Sequence, residues 1–310
     1  MKDVRIVFLG TPLFAATILQ GLIDNHYHVV GVVSQPDKRI GKNKIPSMTP
    51  VKEVAIKNHI EVYQPLKLKE DYQFLMNLQP DLLITCAYGQ ILPQVVLDIA
   101  KINNINVHAS LLPKLRGGAP IHRAIINGEV KTGVTIMQMV KKMDAGCMYA
   151  KQEVEIDENI NTTQLFEKLQ VIGKDLLIES LPSIINQSNQ GIMQNEEEVT
   201  YAYNIDRSEE KIDFHKTCKE VHNLIRGLSY TPGAYCIYHQ KTLKIYQSML
   251  SDLENDNVSV GTLKVDHKDL YVKCADGYLK ILSLQPEGKK MMDARSFLNG
   301  QKAEDLKQLL

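Results

Sequence analysis

What this chain lacks narrows it first. Its five cysteines (Cys86, Cys147, Cys218, Cys236 and Cys274) are odd in number, widely scattered and never spaced C-x-x-C. Neither a disulfide framework nor a structural zinc site is indicated. The scattered His and Cys offer no ligand set for a catalytic metal either, so none is expected. No apolar run approaches the roughly 18 residues of a membrane span. The start, Met1-Lys2-Asp3-Val4-Arg5, has no apolar core of a signal peptide. A soluble protein of the reducing cytoplasm is the expectation. A charge excess is missing too, since 36 Lys and Arg balance 36 Asp and Glu. The whole-chain field therefore neither demands nor excludes a nucleic-acid partner, and only local patches can speak. The first turn, Leu9-Gly10-Thr11-Pro12, lacks the G-x-G-x-x-G spacing that brings backbone up to a pyrophosphate, and no Walker-type loop occurs. A dinucleotide cofactor and nucleotide hydrolysis both go unsupported. Gly10 itself reads as a backbone turn residue.

What is present is patterned. At 310 residues, with 44% hydrophobic and 23% charged, the chain has an ordinary globular composition and is long for one core, so two domains are expected. Apolar runs at 5–9, 29–33, 82–87, 105–108 and 134–139 read as strands, with helical segments at 12–23, 50–58, 71–78 and 93–99 between them. Strands spaced by helices imply right-handed crossovers and a doubly wound, mostly parallel α/β sheet. A long helical stretch, 162–185, is followed by a composition shift. The division expected is 1–188, a linker at 189–207, and 208–310. The last part has an amphipathic helix at 216–228 and short strands at 234–239, 242–247, 258–263, 270–274 and 278–284. Short strands without alternating helices suggest a small antiparallel barrel of the oligonucleotide-binding type.

One stretch carries chemistry. The run ending Asn106-Val107-His108 breaks into Ala109-Ser110-Leu111-Leu112-Pro113 and a glycine-bearing loop, then a helix from Pro120. Residues i and i+2 of a strand share a face, so Asn106 and His108 should point the same way. The ends of parallel strands are where open α/β sheets bind ligands. An amide donor beside an imidazole suits a carbonyl under attack: one stabilises developing negative charge, the other donates a hydrogen bond or moves a proton. Asp144, in Met143-Asp144-Ala145-Gly146, is either a turn residue or the partner that holds the imidazole and favours its charged form. His108 alone could equally be a core histidine satisfied by backbone. His122 reads as structural or surface. The segment 35–50 is long for a connection and carries Lys38, Arg39, Lys42 and Lys44 against Asp37. It is a solvated surface loop or a basic finger for a phosphate backbone.

These pieces together resemble the methionyl-tRNA formyltransferase family within the 10-formyltetrahydrofolate-dependent formyltransferases. The matching segments are Phe8-Leu9-Gly10-Thr11-Pro12, Gln35-Pro36-Asp37, Ala87-Tyr88-Gly89-Gln90-Ile91-Leu92-Pro93, Asn106-Val107-His108 with Ser110-Leu111-Leu112-Pro113 and Arg116-Gly117, Gly133-Val134-Thr135-Ile136-Met137, and Asp144-Ala145-Gly146. In the C-terminal part they are Asn223-Leu224-Ile225-Arg226-Gly227-Leu228 and Pro232-Gly233-Ala234. The resemblance implies that Asn106, His108 and Asp144 are the catalytic trio. It implies that Ser110, Leu111, Leu112 and Pro113 bind tetrahydrofolate, and that Ala87, Tyr88, Gly89, Gln90, Ile91 and Leu92 line the pterin pocket. It also places Lys38, Arg39, Lys42 and Lys44 on the acceptor stem of initiator methionyl-tRNA. Lys42 stands where the family often has arginine, and Cys147 where many members have Asp. The implied activity is formyl transfer from 10-formyltetrahydrofolate to the α-amine of methionyl-tRNA; a monomer is the default expectation. The rivals are a formyltransferase acting on glycinamide ribonucleotide or an amino sugar nucleotide, a formyltetrahydrofolate hydrolase, and a non-catalytic RNA-binding protein.

Overall fold

The structure is a computed structural model that describes residues 3–40, 45–301, 306 and 308–310. Two compact units emerge: Met1–Pro120, Thr132–Val154 and Phe166–Tyr203 form one, while Ile121–Lys131, Glu155–Leu165 and Asn204–Leu310 form the other. In chain order the elements are β1 (Ile6–Gly10), α1 (Leu13–Asp24), β2 (Val29–Val33), β3 (Lys38–Ile40), β4 (Ile45–Ser47), α2 (Pro50–Lys57), β5 (Val62–Tyr63), α3 (Gln73–Leu78), β6 (Leu82–Cys86), α4 (Gln94–Leu97), β7 (Asn103–His108), α5 (Pro120–Ile126), β8 (Lys131–Gln138), β9 (Met148–Glu155) and α6 (Thr162–Ile185). None of the described helices is long and apolar enough to cross a membrane.

The first unit is built on a seven-stranded sheet in the order β5-β2-β1-β6-β7-β8-β9. From β5 to β7 neighbours are parallel, and β8 runs antiparallel to β7. Every residue of β1 and β6 is buried, as strands covered on both faces must be. The chain winds outward from β1 through β2 to β5, then returns to lay β6 and β7 on the other side. That reversal between β1 and β6 is the switch point at which such sheets open a crevice.

Two expectations change here. The segment 35–50 is not simply a loop: Lys38 to Ile40 pairs antiparallel with Ile45 to Ser47 as a short hairpin. Its base is pinned by Lys52 Nζ to Asp37 Oδ2 at 2.6 Å and by Gln64, whose Nε2 donates to Gln35 O and Asp37 Oδ1 at 2.8 Å each. The Lys52 ammonium holds the Asp37 carboxyl below its usual range. Gly10 ends β1 rather than making a left-handed turn, and what it supplies is space. A Cβ there would stand 2.6 Å from Ala15 Cβ and 3.0 Å from the Cys86 carbonyl.

The second unit continues with α7 (Cys218–Gly227), β10 (Ala234–Tyr238), β11 (Lys241–Leu250), β12 (Leu263–Asp266), β13 (Asp269–Lys273), β14 (Tyr278–Pro286), β15 (Met292–Asp293) and α8 (Ala294–Asn299). The helix α7 starts on a capping box, in which Thr217 and Glu220 each satisfy the other's backbone N–H. Its apolar face, Val221 and Ile225, joins Leu243, Ile245, Leu279 and Leu284 of the sheet in one core. The antiparallel order is β10-β11-β14-β13-β12, with β15 on β14. Leu310 exchanges hydrogen bonds with Ile237 of β10, and Leu309 N donates to Gly261 O just before β12. The chain's last residues thus bridge the two edge strands of a barrel-like sheet. The strand expected at 258–263 begins only at Leu263, because Gly261, at φ 79°, sits within a hydrogen-bonded turn from Ser259 to Thr262.

The crowding at Gly10 leads to a test. Gly10→Ala should destabilise the protein by about 1–3 kcal/mol in urea unfolding, the usual penalty of overpacking; unchanged stability would show that the β1 end has room.

Candidate active site

The site grows from the end of β7. On one face of this strand Val107 packs toward α6, where a side chain at Gly173 would begin 3.3 Å from Val107. Asn106 and His108 take the opposite face. Thr85, at the neighbouring position of β6, donates its hydroxyl to Asn106 Oδ1 at 2.9 Å. With its oxygen so engaged, the Asn106 amide presents its NH2 outward.

His108 is 5% exposed. Its Nε2 lies 3.0 Å from the carbonyl of Leu115. A carbonyl only accepts, so Nε2 carries the hydrogen and Nδ1 is the atom left facing Asp144. Nδ1 stands 3.7 Å from Asp144 Oδ2. That same carboxylate oxygen accepts the backbone N–H of Gly117 at 2.9 Å. Asp144 itself adopts φ 49°, which its turn demands. The turn lies flush on β8, since a Cβ at Gly146 would stand 2.0 Å from the Gln138 carbonyl. Gly117, at φ 128°, faces the Ala202 carbonyl with no room for a side chain. Two glycines thus let backbone close in on the carboxylate from both sides.

The loop after β6 lies at the switch point. Tyr88 O accepts from Thr11, which follows β1, and from Gln35, which follows β2, both at 3.1 Å. Tyr88 and Leu92 are buried, while Ala87, Gly89 and Ile91 face outward. Gln90 anchors the loop by accepting from Leu68 N at 2.8 Å. Burial pushes the Tyr88 hydroxyl up to about 12. An exposed backbone edge beside the exposed apolar side chain of Ile91 suits a flat heteroaromatic ring bearing donors and acceptors; Met143, beside Asp144, is a second exposed apolar group.

The Ser110–Pro113 segment behaves differently. The Ser110 hydroxyl is fully buried and donates to Lys114 O at 2.7 Å. Leu112 is buried with Met137 and Met148, and Pro113 is buried as well. Of the four, Leu111 alone keeps partial exposure. The segment shapes the loop that carries Leu115 and Gly117. Of the basic residues, Lys38 is exposed; Lys42, Lys44 and the side chain of Arg39 lie outside the described residues. His122 is structural: its Nδ1 meets the Gly227 carbonyl at 2.8 Å, and burial lowers its pKa. Cys147 is buried against Gln138. Among the described residues no group of three or more His, Cys, Asp or Glu could hold a metal ion.

Sequence reasoning missed Thr85, the Leu115 carbonyl, and the partners of Arg116. Arg116 is fully buried, and its guanidinium donates to Gln194 Oε1 at 2.8 and 3.1 Å and to Glu196 Oε1 at 2.8 Å. Residues 189–203, expected as a linker, thus run along the first unit, with Ile192 bridging Met148 and Tyr201 bridging Arg116.

A Rossmann-like sheet with this site at its switch point defines a class. The Formyl transferase family matches residues 4–181, and the Formyl transferase C-terminal domain matches residues 204–302. Among solved structures, the sugar 3N-formyltransferase WlaRD aligns with a TM-score of 0.68 at 22% identity, over 93% of this chain and 99% of that one. An N-formyltransferase from Helicobacter canadensis aligns with a TM-score of 0.69 at 22% identity, over 90% and 98%. At such identities these show the fold alone. Sequence relatives go further. The methionyl-tRNA formyltransferase of Lactobacillus johnsonii is 44% identical over 96% of this chain and 95% of its own, and that of Bacillus cereus strain B4264 is 46% identical over 97% of each. The chain belongs to the methionyl-tRNA formyltransferase family.

The Arg116 cluster makes a pH prediction. Hydrogen bonds from Arg116 and Lys142 hold the Glu196 carboxyl down to about 2, against a usual 4.5. A depressed carboxyl stabilises the fold above its unfolded pKa, and that contribution fades as pH falls from about 4.5 toward 2. The Tm of the protein should therefore drop more steeply over this window than that of Glu196→Gln. Parallel curves would count against the cluster.

Proposed function

We propose that this chain transfers the formyl group of 10-formyltetrahydrofolate to the α-amine of methionine on initiator methionyl-tRNA, as a cytoplasmic monomer. What supports the chemical reading is that Asn106 and His108 alternate onto one face at the end of β7, with Asp144 Oδ2 3.7 Å from His108 Nδ1. The family relationship supports the choice of substrates. When bound, the folate supplies the formyl carbon; this chain's residues do the rest.

The attacking amine needs little activation. A free α-amino group has a pKa of about 7.7–8.0, and an adjacent ester lowers it further. Stabilising the charge that develops on the formyl oxygen is the larger task, and it falls to Asn106. Thr85 holds the amide oxygen, so that Nδ2 is aimed before the substrate arrives. His108 Nε2 is engaged by Leu115, which makes Nδ1 its working atom. Nδ1 and Asp144 Oδ2 hold the proton that the amine gives up and pass it toward the departing nitrogen, directly or through a water. Of the two roles the sequence leaves to the imidazole, donating a hydrogen bond or moving a proton, this geometry favours the second.

The loop Ala87–Leu92 would hold the pterin, through its backbone edge and Ile91. Ser110–Pro113 would act by shaping the wall beside it. Lys38, with Arg39, Lys42 and Lys44, would meet acceptor-stem phosphates, and the C-terminal unit would hold the tRNA.

One assay separates the readings. With 10-formyltetrahydrofolate, initiator methionyl-tRNA should be formylated far faster than charged elongator tRNA, glycinamide ribonucleotide or an amino sugar nucleotide. Preference for a small amine, or folate hydrolysis in buffer alone, would overturn the assignment. Asn106→Ala should fold and lose about 10²–10³ in turnover, the usual loss on removing an oxyanion donor, and His108→Ala should fold and lose about 10²–10⁴, the range for a positioned proton-transfer group. Turnover within threefold of the parent would refute their roles.

A further inference from the structure

Gln194 belongs to no motif and sits in a stretch that composition marks as a linker. In the structure it is 8% exposed, and both ends of its amide are engaged. Its Oε1 accepts from Arg116 Nε at 3.1 Å and Nη2 at 2.8 Å. Its Nε2 donates to the carbonyls of Asp144 and Gly146, each at 2.8 Å. Arginine only donates and carbonyls only accept, so the amide has a single workable orientation. The guanidinium forces the oxygen one way, and the NH2 must then meet the Asp144 turn.

The residue after Arg116 is Gly117, whose N–H donates to Asp144 Oδ2. Residues 116 and 117 therefore grip the turn twice: directly on the carboxylate, and through Gln194 on the main chain at 144 and 146. Arg116 is in turn balanced by Glu196, itself bonded to Lys142. We propose that Gln194 is a positioning residue that holds the Asp144 carboxylate opposite His108 Nδ1, an inference that rests on the catalytic reading of that pair. Without its two N–H donors, the carbonyls of 144 and 146 lose their partners, and a turn held at φ 49° is free to relax. The 3.7 Å spacing to the imidazole would no longer be set.

The test is Gln194→Glu, which keeps an acceptor for Arg116 but replaces the donors with an oxygen facing two carbonyls. It should fold, keep KM for both substrates within twofold, and lose about 10- to 100-fold in kcat, as a small misplacement of a reacting group does. In an Asp144→Asn background the same substitution should change the residual kcat less than twofold. A folded Gln194→Glu with normal kcat, or an undiminished loss in the Asp144→Asn background, overturns the proposal. Should Gln194→Glu not fold, Gln194→Met, of similar length and uncharged, is read by the same criteria. If neither folds, Gln194 is structural and the proposal fails. Asp144→Asn alone checks the reading beneath: full activity there removes the catalytic role of Asp144, whatever Gln194 does.

Discussion

The carboxylate of Asp144 is held where two backbone segments meet, and the proposed chemistry depends on that placement. One oxygen takes the Gly117 N–H at 2.9 Å and faces His108 Nδ1 at 3.7 Å. The imidazole cannot rotate away, because Nε2 is tied to the Leu115 carbonyl. The loop 115–117 thus holds both members of the pair, one from each side. A small disturbance of this loop would reach the ring and the carboxylate together.

The fold explains why such a loop can exist here. Parallel strands β1, β6 and β7 end side by side, so the segments after them converge. Thr11, Gln35 and Tyr88 join at that convergence, and Asn106 is reached from Thr85 on the neighbouring strand. The burial of β1 and β6 on both faces makes this platform stiff. Against it, the buried Arg116 lets residues 194–196 lie along the first unit. Its charge is matched by Glu196 at the surface, so a cation with no exposed atoms does not stand uncompensated.

Much of this is legible in the sequence. Alternation along 105–108 placed Asn106 and His108 on one face, and turn residues marked the loop that follows. The strand and helix succession carried the doubly wound class. What escaped the sequence are contacts between positions far apart. Gln194 is 50 residues from Asp144 and 78 from Arg116, and nothing in its polar neighbourhood distinguishes it from linker. Thr85 reads as one more strand residue, although its hydroxyl orients Asn106. Gly10 reads as a turn from its neighbours alone, while the crowding of Ala15 and Cys86 is visible only in three dimensions. The pairing of 38–40 with 45–47 is masked in the sequence by its charges and by Pro46, which are poor strand markers.

The central claim is that Asn106, His108 and Asp144 surround the reacting carbon. A crystal structure with 5-formyltetrahydrofolate bound tests it most directly. The account predicts the pterin against the Ala87–Leu92 loop, with the Asn106 amide, His108 and Asp144 gathered around the end of the ligand that carries the transferable group. A ligand seated elsewhere, or an Asp144 carboxylate turned away from His108 in its presence, would contradict it.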